Sequence, residues 1–325
     1  MPKRVWITWE KQRRSIVLAD HFGCELFICE ERGLLRYPRS ILATLAFLCR
    51  HRAEQVFVQN PSMLLAAIAV LWGWATHSLI VVDRHSTFLL GRDHERSLAF
   101  TVFRLLSRFT LRYASLTIVT NEFLAKLVIE AGGRAAVLPD KLPVISPNAG
   151  PAPAMKGRSV LVVSSFASDE PIEEVVEAAT RLEASNINFY VSGRISKAPK
   201  NLLERAPSNV HFTDFLPDDQ YERALCTADM VMVLTTAEHT MLCGCYEAVA
   251  AGKPLITSAM EELRLYFSGA TFVNNTAEQI EEAVNISEEQ LAMAAEQIAE
   301  NRDRIDREWA ALASHVEQVI DQRAP

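Results

Sequence analysis

The run VMVLTTAEHTMLCGCYEAVAAGKPLITS, residues 231–258, constrains the fold more than any other stretch of this 325-residue chain. Residues 231–234 are a short apolar run of the kind that forms a buried parallel strand. Residues 235–240 are polar and read as a loop, and 244–251, rich in alanine around Glu247, read as a helix. Gly252 stands where a helix C-terminal cap belongs, Pro254 blocks continuation, and 255–258 form the next strand. A loop that feeds a helix N-terminus from a parallel strand is a ready anion site, because unpaired N–H groups and the helix dipole both favour phosphate. Open α/β sheets take ligands at the carboxyl ends of their strands, where this loop lies. His239, Thr240, Met241, Leu242, Cys243 and Gly244 are therefore candidates to line a diphosphate. The carboxylates of Glu238 and Glu247 can each bridge vicinal hydroxyls, one on a ribose and the other on a hexose.

The same strand–helix alternation runs through the chain and predicts a parallel sheet in each half. In the first half strands are expected at 4–8, 25–29, 56–59, 79–82, 116–120 and 135–138, with helices between them. In the second they are expected at 159–164, 187–192, 210–212, 231–234 and 255–258. Helical segments are expected at 279–284 and across 288–322, the latter broken near Asn301. The stretch Ser146-Pro147-Asn148-Ala149-Gly150-Pro151-Ala152-Pro153 is the clearest linker. It divides a first domain, 1–147, from a second, 157–325. The turn after the first strand is not G-x-G-x-x-G, so NAD or FAD is not expected. It carries Trp9 and Glu10. Arg13 and Arg14 follow near a helix N-terminus, where cations oppose the dipole unless they answer an anion. Trp9, Glu10 and Arg13 are thus candidate acceptor or phosphate contacts, with solvated arginines as the plain alternative.

Charge is unevenly spread. Residues 1–150 hold 19 Lys and Arg against 12 Asp and Glu, a balance of +7, while the remainder carries −14. Such asymmetry suggests that the first half meets something negative. Residues 92–113 read as a basic amphipathic helix in which Arg104, Arg108 and Arg112 form one stripe beside Phe100, Phe103 and Phe109. Such a helix can lie in a membrane interface; the alternative is a core helix with a solvated arginine face. The uncharged stretch 63–75 is shorter than the roughly 20 residues a bilayer span needs and reads as a buried helix. The N-terminus lacks the apolar run of a signal peptide. Six scattered cysteines without a C-x-x-C pair read as reduced thiols of a cytosolic protein.

Glu247-Ala248-Val249-Ala250-Ala251-Gly252-Lys253-Pro254-Leu255-Ile256 resembles the EA-x-A-x-GKP donor motif of GT-B glycosyltransferases. Family members usually place seven residues between two motif glutamates. Here eight separate Glu238 from Glu247, so either Glu238 or His239 occupies the first acidic position. Gln59-Asn60-Pro61 with Asp83-Arg84-His85 is similar to the QNPP and DWH segments of the dolichol-pathway β-mannosyltransferase, departing at the second proline and the tryptophan. Ser164-Ser165-Phe166 with Asp169-Glu170 is similar to its SST…DE segment.

The resemblance implies an α/β protein of GT-B fold, with two Rossmann-like domains whose parallel sheets face a central cleft. It implies transfer of a sugar from a UDP- or GDP-linked donor, bound by the second domain, to a lipid-linked or polysaccharide acceptor on the first. It places the protein peripherally at the cytoplasmic membrane face, against an anionic surface, with no nucleic-acid partner. It casts His85 as sugar ligand or base, with Asp83 orienting it and Glu238 as a further catalytic candidate. Glu247 and Ser165 would bind the donor. The usual Arg and Lys-Gly pair of the second domain is missing, so Arg194, at a strand end, is the candidate for the diphosphate charge. No Asp-x-Asp motif calls for a metal, and no cofactor is expected. Two rivals share the fold: an epimerase or phosphorylase, and a degenerate subunit that scaffolds an active partner.

Overall fold

The computed structural model describes residues 3–33, 35–60, 62–85, 98–146 and 154–322. The chain divides into two units, residues 1–141 with 308–325, and residues 142–307.

In the first unit β1 (Arg4–Thr8), α1 (Arg13–His21), β2 (Glu25–Ile28), α2 (Arg36–His51), β3 (Gln55–Asn60) and α3 (Met63–Thr76) alternate. They are followed by β4 (Leu79–Arg84), α4 (Leu98–Tyr113), β5 (Leu116–Val119), α5 (Glu122–Glu130) and β6 (Ala135–Val137). All strand pairs are parallel, in the order β2-β1-β3-β4-β5-β6. Strand alternation sorts the side chains into two layers. Val56, Val58, Ile80 and Val82 face Leu48 of α2 and Leu65, Ala66, Ala69 and Val70 of α3. Phe57, Leu79 and Val81 face the opposite layer with Leu18 and Phe22. Ser62 caps α3 through Leu65 N–H; the first half of the uncharged helix is buried as expected, whereas Leu71 and Trp74 in its second half are exposed. Among the described residues no helix is long and apolar enough to cross a membrane. Residues 86–97, including the expected start of the basic helix, lie outside the described residues, as does most of the linker, 147–153.

The second unit runs β7 (Arg158–Val162), α6 (Ile172–Arg181), β8 (Ile187–Ser192), a 3-10 turn at Ile195–Lys197, α7 (Lys200–Arg205), β9 (Val210–Asp214) and α8 (Asp218–Thr227). It continues with β10 (Met230–Val233), α9 (Cys243–Ala250), β11 (Leu255–Ser258), α10 (Glu261–Tyr266), β12 (Thr271–Val273), α11 (Ala277–Val284) and α12 (Glu288–Asp321). Its sheet is also parallel, ordered β12-β11-β10-β7-β8-β9. The strand order reverses between β7 and β10, which makes their carboxyl ends the topological switch point. In the first unit the reversal lies between β1 and β3.

Two expectations about the C-terminal segment need correction. The helix is not broken near Asn301: α12 is continuous over 34 residues. Asn301 is buried, and its amide donates to Tyr266 O (3.4 Å) and Ser268 Oγ (3.3 Å). It thereby serves the C-terminal end of α10 instead of competing for its own helix backbone. Nor does the whole segment belong to the second unit, since residues 308–325 cluster with the first. Trp309, Ala313, Val316 and Ile320 recur on one helical face and pack with Trp6, Leu18 and Phe22. The Trp309 indole donates to Pro139 O at 3.0 Å, and Arg4 pairs with Glu317 at 2.8 Å.

Candidate active site

At the switch point of the second sheet, the loop after β7 is folded around a carboxylate. Glu170 accepts from the Ser164 hydroxyl (2.6 Å), the Ser165 hydroxyl (2.8 Å) and the N–H groups of Ser165 and Phe166 (both 2.9 Å). Phe166 takes the left-handed conformation, φ 57°, that turns these amides inward. Asp169 ties this loop to the one after β10: its carboxylate accepts from the Thr235 hydroxyl at 2.8 Å. Thr235 N–H donates to Ser258 Oγ (2.8 Å), Ser258 donates to Asn275 Oδ1 (2.7 Å), and the Asn275 amide donates back to Thr235 O (2.8 Å). Gly193, φ +115°, brings the end of β8 against the same loop; a Cβ there would lie 2.4 Å from Ser164 O. The next residue, Arg194, is exposed, with its guanidinium 5.2 Å from the Phe215 ring centre. The structure thus brings Ser165 and Arg194 to one edge.

In the loop after β10, the two alternatives for the first motif position have different fates. Glu238 turns its side chain to solvent, 81% exposed. His239 adopts φ 59° and is held through Nδ1 by Glu262 at 2.5 Å. Thr240 donates to Glu238 O at 3.2 Å, and Met241 and Leu242 pack on the core. Cys243 is exposed at the first position of α9. Gly244 is closely packed: a Cβ would stand 3.0 Å from Val233 and 3.1 Å from Val163, so the helix start rests directly on the strand ends. Cys245 is core, its thiol pushed up to about 12 by burial. Glu247 lies one turn along on the face of Cys243 and accepts from the Tyr221 hydroxyl at 2.6 Å. Burial and the Glu247 charge push the Tyr221 phenol well above its ordinary value, so it keeps its proton and donates. Tyr221, Glu262 and Asn275 were not among the sequence candidates. A single aromatic within the polar helix DDQYERALCT is the one signal that points to Tyr221.

The carboxyl edge of the first sheet is built on charge. Arg14 is buried and pairs with Asp83 (2.8 Å) and Asp140 (2.7 Å), and it donates to Leu138 O (2.9 Å). Burial works against its charge, but the two carboxylates outweigh it. Burial alone would raise the Asp83 carboxyl; Arg14 and then His85 override it and hold it at about 2. Asp83 is therefore ionised and fixed, with His85 Nδ1 3.5 Å from its Oδ2. That pair matches the expected alternation of residues 83 and 85, although the shortest contacts of Asp83 go to Arg14. Trp9 departs from its expected role. It is 3% exposed and its indole donates to Thr44 Oγ1 at 3.0 Å, so its polar group is taken up inside the core. Glu10 pairs with Arg36 at 3.0 Å, and Arg13 is exposed. Arg104, Arg108 and Arg112 are all exposed on α4.

Residues 157–299 match the family model for group 1 glycosyl transferases, nearly the whole of the second unit. No curated protein matches the chain. Among solved structures, sucrose-phosphate synthase from Thermosynechococcus elongatus superposes over 98% of both chains at 14% identity and TM-score 0.74. Anabaena HepE in complex with UDP-glucose covers 98% of this chain and 91% of its own, at 13% identity and TM-score 0.70. S. aureus MnaA with UDP covers 92% of each, at 11% identity and TM-score 0.61. At these identities the likeness speaks for the fold. The chain has the GT-B architecture, and most of its second unit matches the group 1 glycosyl transferase model.

Proposed function

We propose that the protein is a glycosyltransferase that moves a hexosyl group from a UDP- or GDP-linked donor to a hydroxyl of a lipid-linked or polysaccharide acceptor at the inner membrane face. The observation that carries this reading is Glu247 on the EA-x-A-x-GKP helix, at the switch point of a group 1 transferase domain. The donor sits on the second unit. Glu247, fixed by Tyr221, takes ribose hydroxyls, and the amides of residues 240–244 face the diphosphate. Ser165 and the Arg194 cation stand at the same edge. As the glycosidic bond to the nucleotide breaks, charge builds on the diphosphate, and preorganised amides and a cation stabilise it. The HepE complex with UDP-glucose supports the donor class. On the first unit His85, steadied by anionic Asp83, serves the acceptor or the transferring sugar. The acceptor class rests on the Gln59-Asn60-Pro61 and Asp83-Arg84-His85 segments and on the basic first half.

The test is thermal unfolding with UDP, GDP and their sugars, followed by turnover with a membrane extract. A ligand at 100 times its Kd stabilises the native state by about 2.7 kcal/mol. One nucleotide series should shift the transition, and His85→Ala should abolish turnover while leaving that shift intact. No shift with any nucleotide would overturn the donor site; a shift without turnover on any acceptor would favour the scaffold reading.

A further inference from the structure

Arg84, the last residue of β4, is a buried cation with no carboxylate partner among the described residues. It is 6% exposed, and its one hydrogen bond among the described residues runs from Nη1 to Ser107 Oγ of α4 at 3.0 Å. Burial lowers its pKa to about 10, with no opposing carboxylate, whereas Arg14 one strand-face away has two. A desolvated charge left unpaired is costly and persists only with a compensating role. Asn60 is its cross-strand neighbour in register, and the two continue the Val56–Val58 and Ile80–Val82 rows to the sheet's carboxyl edge. Asn60 is 1% exposed; among the described residues its Oδ1 has no partner and its Nδ2 meets Met63 Sδ at 3.1 Å. Asn60 and Arg84 thus stand side by side in register at the sheet edge, with Ser107 on the guanidinium, and Asn60 has hydrogen-bonding capacity to spare. The helices over this face, α2, α3 and α4, contain no Asp or Glu to supply an anion. Arg84 also stands where the resemblance to the β-mannosyltransferase segment breaks, in place of an aromatic.

We propose that Arg84, Ser107 and Asn60 form a binding site for a phosphoryl group. The planar guanidinium offers paired donors to phosphate oxygens, the Ser107 hydroxyl can turn its proton to the anion, and the Asn60 amide can present its NH2 edge. The ligand class is a phosphate or diphosphate ester on the acceptor side. That assignment to an acceptor rests on the transferase reading; the anion site itself does not. For a lipid-linked acceptor, the site would fix the reacting hydroxyl at a set distance from the linking phosphate.

The experiment uses the full chain saturated with UDP, so that the donor unit is occupied, and follows unfolding against pyrophosphate, geranyl diphosphate and, at matched ionic strength, sodium chloride. Pyrophosphate and geranyl diphosphate should raise the wild-type transition beyond chloride. Arg84→Met should melt higher than wild type without anion, because an uncompensated buried charge has gone, and should lose the pyrophosphate response while keeping that to UDP. Asn60→Asp, which supplies an internal counter-charge, should likewise stabilise the apo protein and blunt the response. A response to geranyl diphosphate but not pyrophosphate would identify prenyl contacts as the source and overturn the phosphoryl site. Equal pyrophosphate responses in wild type and Arg84→Met, or none in wild type, would also overturn it. If neither UDP nor GDP gives a shift while the Arg84-dependent pyrophosphate shift remains, the donor reading fails and this site stands.

Discussion

The two units present opposite electrostatics at equivalent places in two parallel sheets. At the edge of the second sheet, Glu170 and Asp169 are satisfied by amides and hydroxyls, and Glu247 by the Tyr221 phenol. At the edge of the first, two guanidiniums are buried, one locked between Asp83 and Asp140 and one with no carboxylate among the described residues. Each hydrogen bond from a neutral donor to a carboxylate contributes about 1.5–3 kcal/mol net, and a sugar hydroxyl can replace that donor, so such bonds suit a site that exchanges partners. A buried ion pair does not exchange; it fixes geometry. The sheets differ as well. Counted within each unit, the second has order 3-2-1-4-5-6 and the first 2-1-3-4-5-6, so their switch points fall at β7/β10 and β1/β3.

The largest effect should come from the locked side. Arg14→Met leaves two carboxylates facing a buried gap, and breaking such a pair costs about 3–5 kcal/mol. The pH dependence carries the signature. Because the Asp83 pKa is depressed to about 2, its stabilisation is present above the ordinary carboxylate pKa of about 3.9 and is lost as pH falls towards 2. Without Arg14, burial alone raises that pKa, so the same acidification should relieve the variant. Urea unfolding of both proteins between pH 5 and pH 2.5 checks this: the wild type should weaken and the variant should not. Parallel slopes would mean that Asp83 is not the group Arg14 holds.

A smaller effect is expected on the exchanging side. Glu247→Ala removes a charge-assisted hydrogen bond and should weaken nucleotide binding by about 1.5–3 kcal/mol with little change in stability. Tyr221→Phe, which only releases the carboxylate, should weaken it less. Calorimetric titration of UDP or GDP into each variant measures both. Equal affinity in wild type and Glu247→Ala would remove the donor role from this helix.

How much of this was legible in the sequence follows from which interactions are local. The strand–loop–helix at 231–258 could be read because turn, cap and apolar run lie within one short segment, and α9 begins at Cys243, one residue from the expected start. The burial of the first half of α3 was legible from its uncharged run, but the exposure of Leu71 and Trp74 was not. The partners were not. Tyr221 meets Glu247 across 26 positions, Arg14 meets Asp83 across 69, and Trp309 meets Pro139 across 170. No spacing encodes such pairs, so Trp9 looked available to a ligand until Thr44 was placed against it. The break expected at Asn301 failed for a related reason. Asparagine's local preference was overridden by a tertiary acceptor, Tyr266 O, that propensity cannot see.

The smallest expected effect per residue concerns the outer surface of the first unit. The helices α2 and α4 carry arginines, α3 carries no charge and none of the three holds an acid; α3 and α4 expose Leu71, Trp74, Leu98, Val102 and Leu105, and α4 exposes Arg104, Arg108 and Arg112 as well. Large apolar side chains flanked by cations fit an anionic lipid surface, where each basic residue contributes about 1 kcal/mol. The second half of the chain, at −14, would be held away by the same field. Changing one of the three arginines to glutamine should reduce liposome binding about fivefold, and changing all three should reduce it to the level contributed by the apolar residues alone. Sedimentation with phosphatidylglycerol vesicles at low and high salt measures this, since screening falls within a Debye length of about 8–10 Å. Binding should require the anionic lipid, weaken with salt and follow the arginine count. Leu105→Ser should weaken it without altering the salt dependence, which separates insertion from attraction. Equal pelleting with neutral vesicles, or none with either kind, would make the arginine stripe a solvated face and free the acceptor from the membrane.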